Sequence, residues 1–387
     1  MKTAARFWLG WGIAIAVLWG VAAWAVALWN LNNYTQLVSE RLLLLAELRR
    51  GALQEYFSTA EAELRFWSSN ERIIAAQQQL LAIWGADKGD AVAARVRADY
   101  LENNPSPDGF RLDFDGVENG TAYDDLHRAM HPEARLFVTE RGYYDFFLIG
   151  PQGDVYYTVE KEADFASNLE RKELRHSGLA EVYRRAKRER KEGTVAMSDM
   201  QPYGPSGGVA AIFLATAMHD DEGRFIGVIA FQLPTDTILG IMAYTSGMGE
   251  TGETYLVGQD KLMRSDSRFS EASTLLQQQV DTPTVNLALN GEQGTRVVAD
   301  YRNVPVMSAY LPLQVGDTRW AVMAEIDQAE IETGAARERP AMAGLLALFY
   351  GLSLWSLWYW HGRPVQEEGM QVAGLDFADV DGAGFGD

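Results

Sequence analysis

Three groups of residues in this 387-residue chain have types and spacing that could do chemistry. Gly247, Gly249 and Gly252 fit the G-x-G-x-x-G template, in which backbone N–H groups at a helix start cradle a phosphate. That cradle needs a strand before the glycines and a helix after them, and here a strand-like run, Glu253–Val257, follows. The lysine strand and catalytic Asp loop of a kinase are missing downstream as well. Nucleotide binding is therefore not expected. His127 and His131, at i and i+4, would put two imidazoles on one helical face as in zinc sites, with Asp124 or Asp125 as a third ligand. No glutamate holds the general-base position between them and Pro132 suggests an interrupted helix, so the pair reads as solvated or hydrogen-bonded. Asp113, Asp115 and Glu118 lack the spacing of a calcium loop. Without a G-x-S-x-G elbow, a P-loop or H-E-x-x-H, and with no carboxylate pair singled out, neither an enzyme nor a cofactor is expected.

The elements that would position any site begin at the membrane. Residues 7–29 are 23 residues without a charge, enough to cross a hydrocarbon core of about 30 Å as a helix. Trp8, Trp11 and Trp29 lie near its ends, where indoles favour the interface. A signal peptide competes with this reading, because Lys2 and Arg6 precede the run and Ala23-Trp24-Ala25 resembles a cleavage site. Length and bulky Trp favour the uncleaved anchor. Residues 341–360 form a second uncharged run. Lys2, Arg6 and Arg363 put both termini in the cytoplasm by the positive-inside rule, against Arg337 and Arg339 on the outer flank. The expected topology is two-pass in a bacterial inner membrane, with the main domain periplasmic. A net charge of −19 makes nucleic acid an unsuitable partner, and the lack of Cys excludes thiolate metal sites and disulfides.

Between the spans the pattern is α+β. From Asn30 to Trp84 there is no proline and one glycine, Gly51, and Leu37, Leu44, Leu48, Phe57, Leu64, Trp67 and Ile74 recur among charges. This predicts one amphipathic helix of up to about 80 Å, either a mechanical element or a coiled-coil dimer stalk. A loop-rich segment follows at 100–142. Strands are predicted at 144–149, 155–159, 194–197, 210–217 and 225–232, with a basic helix at 178–191 and a linking helix at 235–244. A second, smaller module is predicted to open with a hairpin of Glu253–Val257 and 262–264, then a polar helix at 271–280 and strands at 295–301, 304–311 and 320–326.

Gly252-Glu253-Thr254-Tyr255-Leu256-Val257-Gly258 and Met263-Arg264-Ser265-Asp266-Ser267-Arg268-Phe269 closely resemble the membrane-proximal half of double Cache sensor domains. Arg141-Gly142-Tyr143-Tyr144-Asp145, Tyr157-Thr158-Val159 with Lys161-Glu162 and Asp164-Phe165, and Gln201-Pro202-Tyr203-Gly204-Pro205-Ser206 look like distal-module motifs of the same family. The resemblance spans about residues 35–330. It implies a long N-terminal helix and two stacked PAS-like antiparallel-sheet modules between two transmembrane helices. The expected division is 1–6 cytoplasmic, 7–29 first span, 30–100 stalk helix and following helix, 101–244 distal module, 245–330 proximal module, 341–360 second span and 361–387 tail. Receptors of this class are built as dimers through stalk and membrane helices, so a homodimer is expected.

The family implies a small-molecule pocket in the distal module. Tyr143, Tyr144, Tyr157, Tyr203 and Phe213 are the candidate floor, and Asp145, Asp199 and Lys161 the chargeable groups. An aspartate in an aromatic cage suits an ammonium. Core packing is the competing reading for the Tyr, and turn capping for Asp199. The ligand class is left open among amino acids, amines and organic acids, because Arg141-Gly142-Tyr143-Tyr144 departs from the Arg-x-Trp-Tyr motif of the amino-acid branch. Val209 also replaces a proline of relatives. In the proximal module Gly252, Tyr255, Arg264, Asp266 and Arg268 read as structural, bracing the sheet. Arg363-Pro364-Val365-Gln366-Glu367 is similar to the start of a HAMP linker, yet the acidic tail is too short for one and is expected to be disordered. A sensor without its own output domain is the resulting expectation, signalling in trans through a membrane partner or orphaned. The alternative is a structural or accessory subunit of a larger membrane complex.

Overall fold

The computed structural model of the chain describes residues 2–361 apart from 108, 109, 119 and 338. The expected HAMP-like tail after residue 361 lies outside the described residues. Two units are distinguished, Asn33–Gly334 and the pair of terminal segments Met1–Asn32 and Ala335–Asp387.

Helix α1 (Lys2–Ser68) carries a stripe of Val38, Leu42, Ala46, Leu53, Phe57, Ala60, Leu64 and Trp67, all buried. Their steps of three, four and seven keep them on one face at 3.6 residues per turn. That stripe packs on both sheets of the domain: the Trp67 ring lies 5.4 Å from Phe146 and the Phe57 ring 6.2 Å from Trp320. Burying each such side chain contributes about 1.5–3 kcal/mol. The apolar face expected from sequence therefore splits. Phe57, Leu64 and Trp67 belong to the chain's own core, while Leu37, Leu44 and Leu48 point outward at 62%, 56% and 58% exposure. The single helix expected to Trp84 is also two. Asn70 accepts hydrogen bonds from the N–H groups of Arg72 and Ile73 and starts α2 (Glu71–Arg97), because polar Ser68, Ser69 and Asn70 bond to backbone locally.

The distal module follows with α3 (Ala122–Arg141), β1 (Asp145–Ile149), β2 (Val155–Thr158), α4 (Gly178–Glu189), β3 (Val195–Met197), β4 (Gln201–Tyr203), β5 (Val209–His219), β6 (Phe225–Leu233) and α5 (Thr235–Ala243). Its antiparallel sheet runs β2-β1-β6-β5-β3, and β4, which sequence reading missed, pairs with the start of β5. Helices cover both faces, so β1 is buried at every position and its alternation disappears. Pro132 does not interrupt α3. The helix is fixed by a Thr121/Asp124 capping box and by its buried face of Tyr123, His127, Met130, His131, Ala134 and Val138, which offsets the roughly 3 kcal/mol cost of an interior proline.

The proximal module holds β7 (Glu253–Val257), α6 (Pro283–Leu289), β8 (Gly294–Ala299), β9 (Pro305–Val315), β10 (Thr318–Asp327) and α7 (Gln328–Ala336), with sheet order β7-β10-β9-β8. Residues 262–264, expected as the hairpin partner of β7, pair with it over a short stretch, through the Met263–Val257 bridge, the Arg264 N–H on the Leu256 carbonyl and the Gly258 N–H on the Leu262 carbonyl, and do not form a full strand. No helix forms at 271–280; Pro283 instead starts α6 behind a Thr282 cap.

In the terminal unit, α1 and α8 (Arg339–His361) are long and apolar enough to cross a membrane. Trp19 stacks on Phe349 at 5.9 Å and donates to the Ser353 hydroxyl at 3.2 Å.

Candidate functional site

On the α4 side of the distal sheet, the side-chain alternation that buries Phe147 and Ile149 also turns Asp145 inward, and β6 sets Gln232 directly opposite it. Asp145 Oδ1 accepts from the N–H groups of Phe146, Val159 and Glu160. The segment after β2 brings Glu162 and Asp164 to the same core. Asp164 Oδ2 accepts the Tyr203 hydroxyl at 2.6 Å, and Glu162 accepts the hydroxyls of Tyr144 at 2.7 Å and Ser206 at 2.5 Å. The Gln232 amide donates to Ser206 at 3.3 Å, and the Phe213 ring stands edge-on to Tyr203 at 4.7 Å. Asp145 and Asp164 are fully buried, Gln232, Tyr203 and Phe213 nearly so.

Three oxygens of this cage have no hydrogen-bond donor: Asp145 Oδ2, Asp164 Oδ1 and Gln232 Oε1. Buried acceptors left this way cost about 1–3 kcal/mol each, more when charged. The electrostatics register the cost. Burial, then the charges of Asp164 and Glu160, push the Asp145 carboxyl well above the usual carboxylate range. Burial pushes Asp164 up to about 7, with the Glu162 charge adding to it and the Tyr203 hydrogen bond opposing. Among the described residues Lys161 and Arg97 act on Asp145 and Asp164 through their charge, but neither donates to any of these three oxygens.

Four of the residues singled out from sequence, Tyr144, Asp145, Tyr203 and Phe213, meet here. The others do not. Tyr143 reaches Glu63 of α1 at 2.5 Å. Tyr157 bonds His131 Nδ1 at 2.6 Å, and Lys161 donates to the Val159 and Arg111 carbonyls, its Nζ lying 3.1 Å from His131 Nε2. Burial lowers Lys161 to about 7 and His131 to about 3, so His131 is neutral and Lys161 only partly charged near neutral pH. His127 stacks on His131 at 4.5 Å with Nδ1 on the Asp115 carbonyl, while its buried Nε2 has no partner. Sequence reasoning missed Gln232, Glu162, Asp164 and Ser206 as site residues. The last three lie in the quoted family motifs, whereas Gln232 ends an apolar strand and carries no signal of its own.

Asp199 stands at the junction of the two modules. It receives both Arg264 Nε at 3.2 Å and an Arg264 terminal nitrogen at 2.8 Å, and the Trp320 indole N–H at 2.8 Å. Arg264 is 1% exposed and pairs with Asp260 as well. A Cβ at Gly258 would fall 2.3 Å from this guanidinium, so glycine is required for Arg264 to cross the turn. A cleft of about 390 Å³ opens beside Asp199 and Arg185, away from the cage. Asp266 Oδ1 accepts the N–H groups of Thr274 and Leu275, and Arg268 donates to the Gly252 and Glu250 carbonyls. The G-x-G-x-x-G loop does bind an anion, and it is Glu330 of α7, which accepts from the N–H groups of Glu250 at 3.0 Å and Thr251 at 2.8 Å.

Two stacked antiparallel-sheet modules on one long helix, the distal one with a polar cage in its core, define a sensor-type α+β domain. Residues 31–335 match the family model described as a Cache domain, and the chain belongs to that family in its double Cache form. No curated protein sequence matches. Among solved structures the chain is similar to the sensory domain of the Campylobacter jejuni chemoreceptor Tlp3, at 12% identity and a TM-score of 0.47 over 79% of this chain and 99% of that one. It is also similar to the ligand-binding domain of the Pseudomonas fluorescens chemoreceptor CtaA in complex with L-serine, at 14% identity and 0.41 over 77% and 98%. A third is the ligand-binding domain of the Pseudomonas aeruginosa chemoreceptor PctB in complex with L-Arg, at 11% and 0.43 over 76% and 96%.

Proposed function

We propose that this chain is a membrane-anchored extracytoplasmic sensor that binds a small ammonium-bearing molecule, an amine or an amino acid, in the distal cage. The carrying observation is the set of three buried acceptor oxygens without donors, Asp145 Oδ2, Asp164 Oδ1 and Gln232 Oε1. An ammonium supplies three N–H donors and one positive charge, and charge-assisted hydrogen bonds to it offset the desolvation of both sides. Tyr203, Phe213 and Tyr144 give the aromatic walls that favour a cation. A ligand that is only a carboxylic acid would add negative charge to Asp145, Glu162 and Asp164, and the one nearby amine, Lys161, is spent on backbone carbonyls. Organic acids are therefore the least suited of the three classes expected from sequence.

Two apolar helices and the family's setting support a two-pass anchor with the Cache domain outside the inner membrane. Leu37, Leu44 and Leu48, exposed at spacings of seven and four on α1, support a homodimer through the stalk. A thermal-shift panel on the full chain in nanodiscs tests the ligand class. Amines or amino acids should raise the midpoint and simple carboxylates should not; a rise with carboxylates alone would refute the reading.

A further inference from the structure

We propose that the proximal module holds a hard divalent cation, calcium or magnesium, in its core between β7, β10 and the β8–β9 turn. Strand register places Glu253 of β7 directly opposite Glu325 of β10, two like charges at facing positions, which by itself disfavours the pairing. Asp300, from the turn after β8, completes the group: a ligand oxygen from each of the three lies within 4.8 Å of the others, and all three residues are buried. Glu253 and Asp300 already have donors. Tyr301 and Ser267 give their hydroxyls to Glu253 at 2.7 and 2.8 Å, and Arg302 pairs with Asp300 at 2.6 Å.

Glu325 is different. It is 1% exposed and neither carboxylate oxygen has a hydrogen-bond partner. Independently, the Tyr255 hydroxyl, on a fully buried ring beside Glu325 and Glu253, has no partner either. The Tyr255 and Ser308 hydroxyls lie close to Glu325 but outside hydrogen-bonding geometry. The Tyr255 hydroxyl lies beside Glu325, and a cation held among the three carboxylates would give the Glu325 oxygens the partner they lack. The donor set is oxygen throughout, three carboxylates and hydroxyls with no His or Cys among them, which selects hard cations. Glu325 lies at the end of β10, just before α7 begins at Gln328. The cation would tie β7 and the β8–β9 turn to β10 three residues before α7 departs from that strand, giving the sensor a second input besides its distal ligand.

The test uses the full chain in nanodiscs, stripped with chelator and then given calcium or magnesium chloride. Either ion should raise the unfolding midpoint by about 5 °C at saturating concentration. Glu325→Gln keeps the shape but removes the charge; it should lose that rise and, with the facing charges relieved, should unfold no lower than the stripped native protein. Glu253→Gln provides the same comparison should Glu325→Gln not fold. An equal rise in native and variant proteins, or no rise together with no metal retained after dialysis, would overturn the proposal.

Discussion

Asp164 accepts one hydroxyl on Oδ2 and has nothing on Oδ1, so Asp164→Asn changes its charge while keeping its shape. A hydrogen bond to a charged group is worth about 1.5–3 kcal/mol, which predicts about 10- to 100-fold weaker amine binding by calorimetry. Stability should not fall, because burial already drives that carboxyl toward its neutral form at about 7. An affinity unchanged by the substitution would remove Asp164 from the site. Of this chemistry the sequence displayed the aromatic residues and Asp145, which sit in recognisable motifs. It could not display Gln232, since an amide at the end of the apolar run of β6 acquires meaning only when register sets it against Asp145.

At the scale of elements, the Arg264 to Asp199 bridge couples the modules across 65 positions of sequence. Hydrogen bonds to a charged group are worth about 1.5–3 kcal/mol, and Asp199, whose side chain is 28% exposed, rehydrates once its partner is removed. Arg264→Ala should therefore lower denaturant stability by about that amount and also free the Trp320 indole from its ordered acceptor. Amine affinity in folded protein should change less than about twofold, given that the cage is elsewhere; a loss of binding without a loss of stability would contradict this. Asp199 is expected from the resemblance as a chargeable group of the pocket or as a turn cap; its side-chain partners Arg264 and Trp320 stand 65 and 121 positions away, where no local pattern points to them. The strands themselves were legible: Glu253–Val257 has the predicted bounds, and β5, β6, β9 and β10 extend the predicted runs by a few residues. Loop structure was not. Residues 262–280 look like a strand and a helix in sequence, yet side-chain bonds to Asp266 and Asp260 hold them in turns that local propensity does not specify.

For the whole domain, the buried carboxyls set an unusual response to pH. Burial raises Glu160, Asp164 and Glu325 to about 7, and Asp145 and Glu253 are raised as well. A carboxyl raised by folding holds a proton that the unfolded chain releases, so its stabilising contribution is complete below about pH 4 and lost as pH climbs through about 7. The lowered His127 and His131 act in the opposite sense below about pH 6.5, but the carboxyls outnumber them. Stripped of metal and ligand, the protein should show a midpoint that falls between about pH 5 and pH 7. A rising midpoint over that window would mean that the cage and the proximal cluster are ionised and otherwise compensated.

Binding of an ammonium to the cage must expel the proton that burial keeps on its carboxyls. Calorimetry of the full chain with an amine near pH 6.5, repeated in buffers of different ionisation enthalpy, measures that proton directly. The cage predicts net proton release on amine binding, smaller but still present in Asp164→Asn because Asp145 is raised as well. Binding with no proton released, or with a proton taken up, would show that the ligand does not meet these carboxylates.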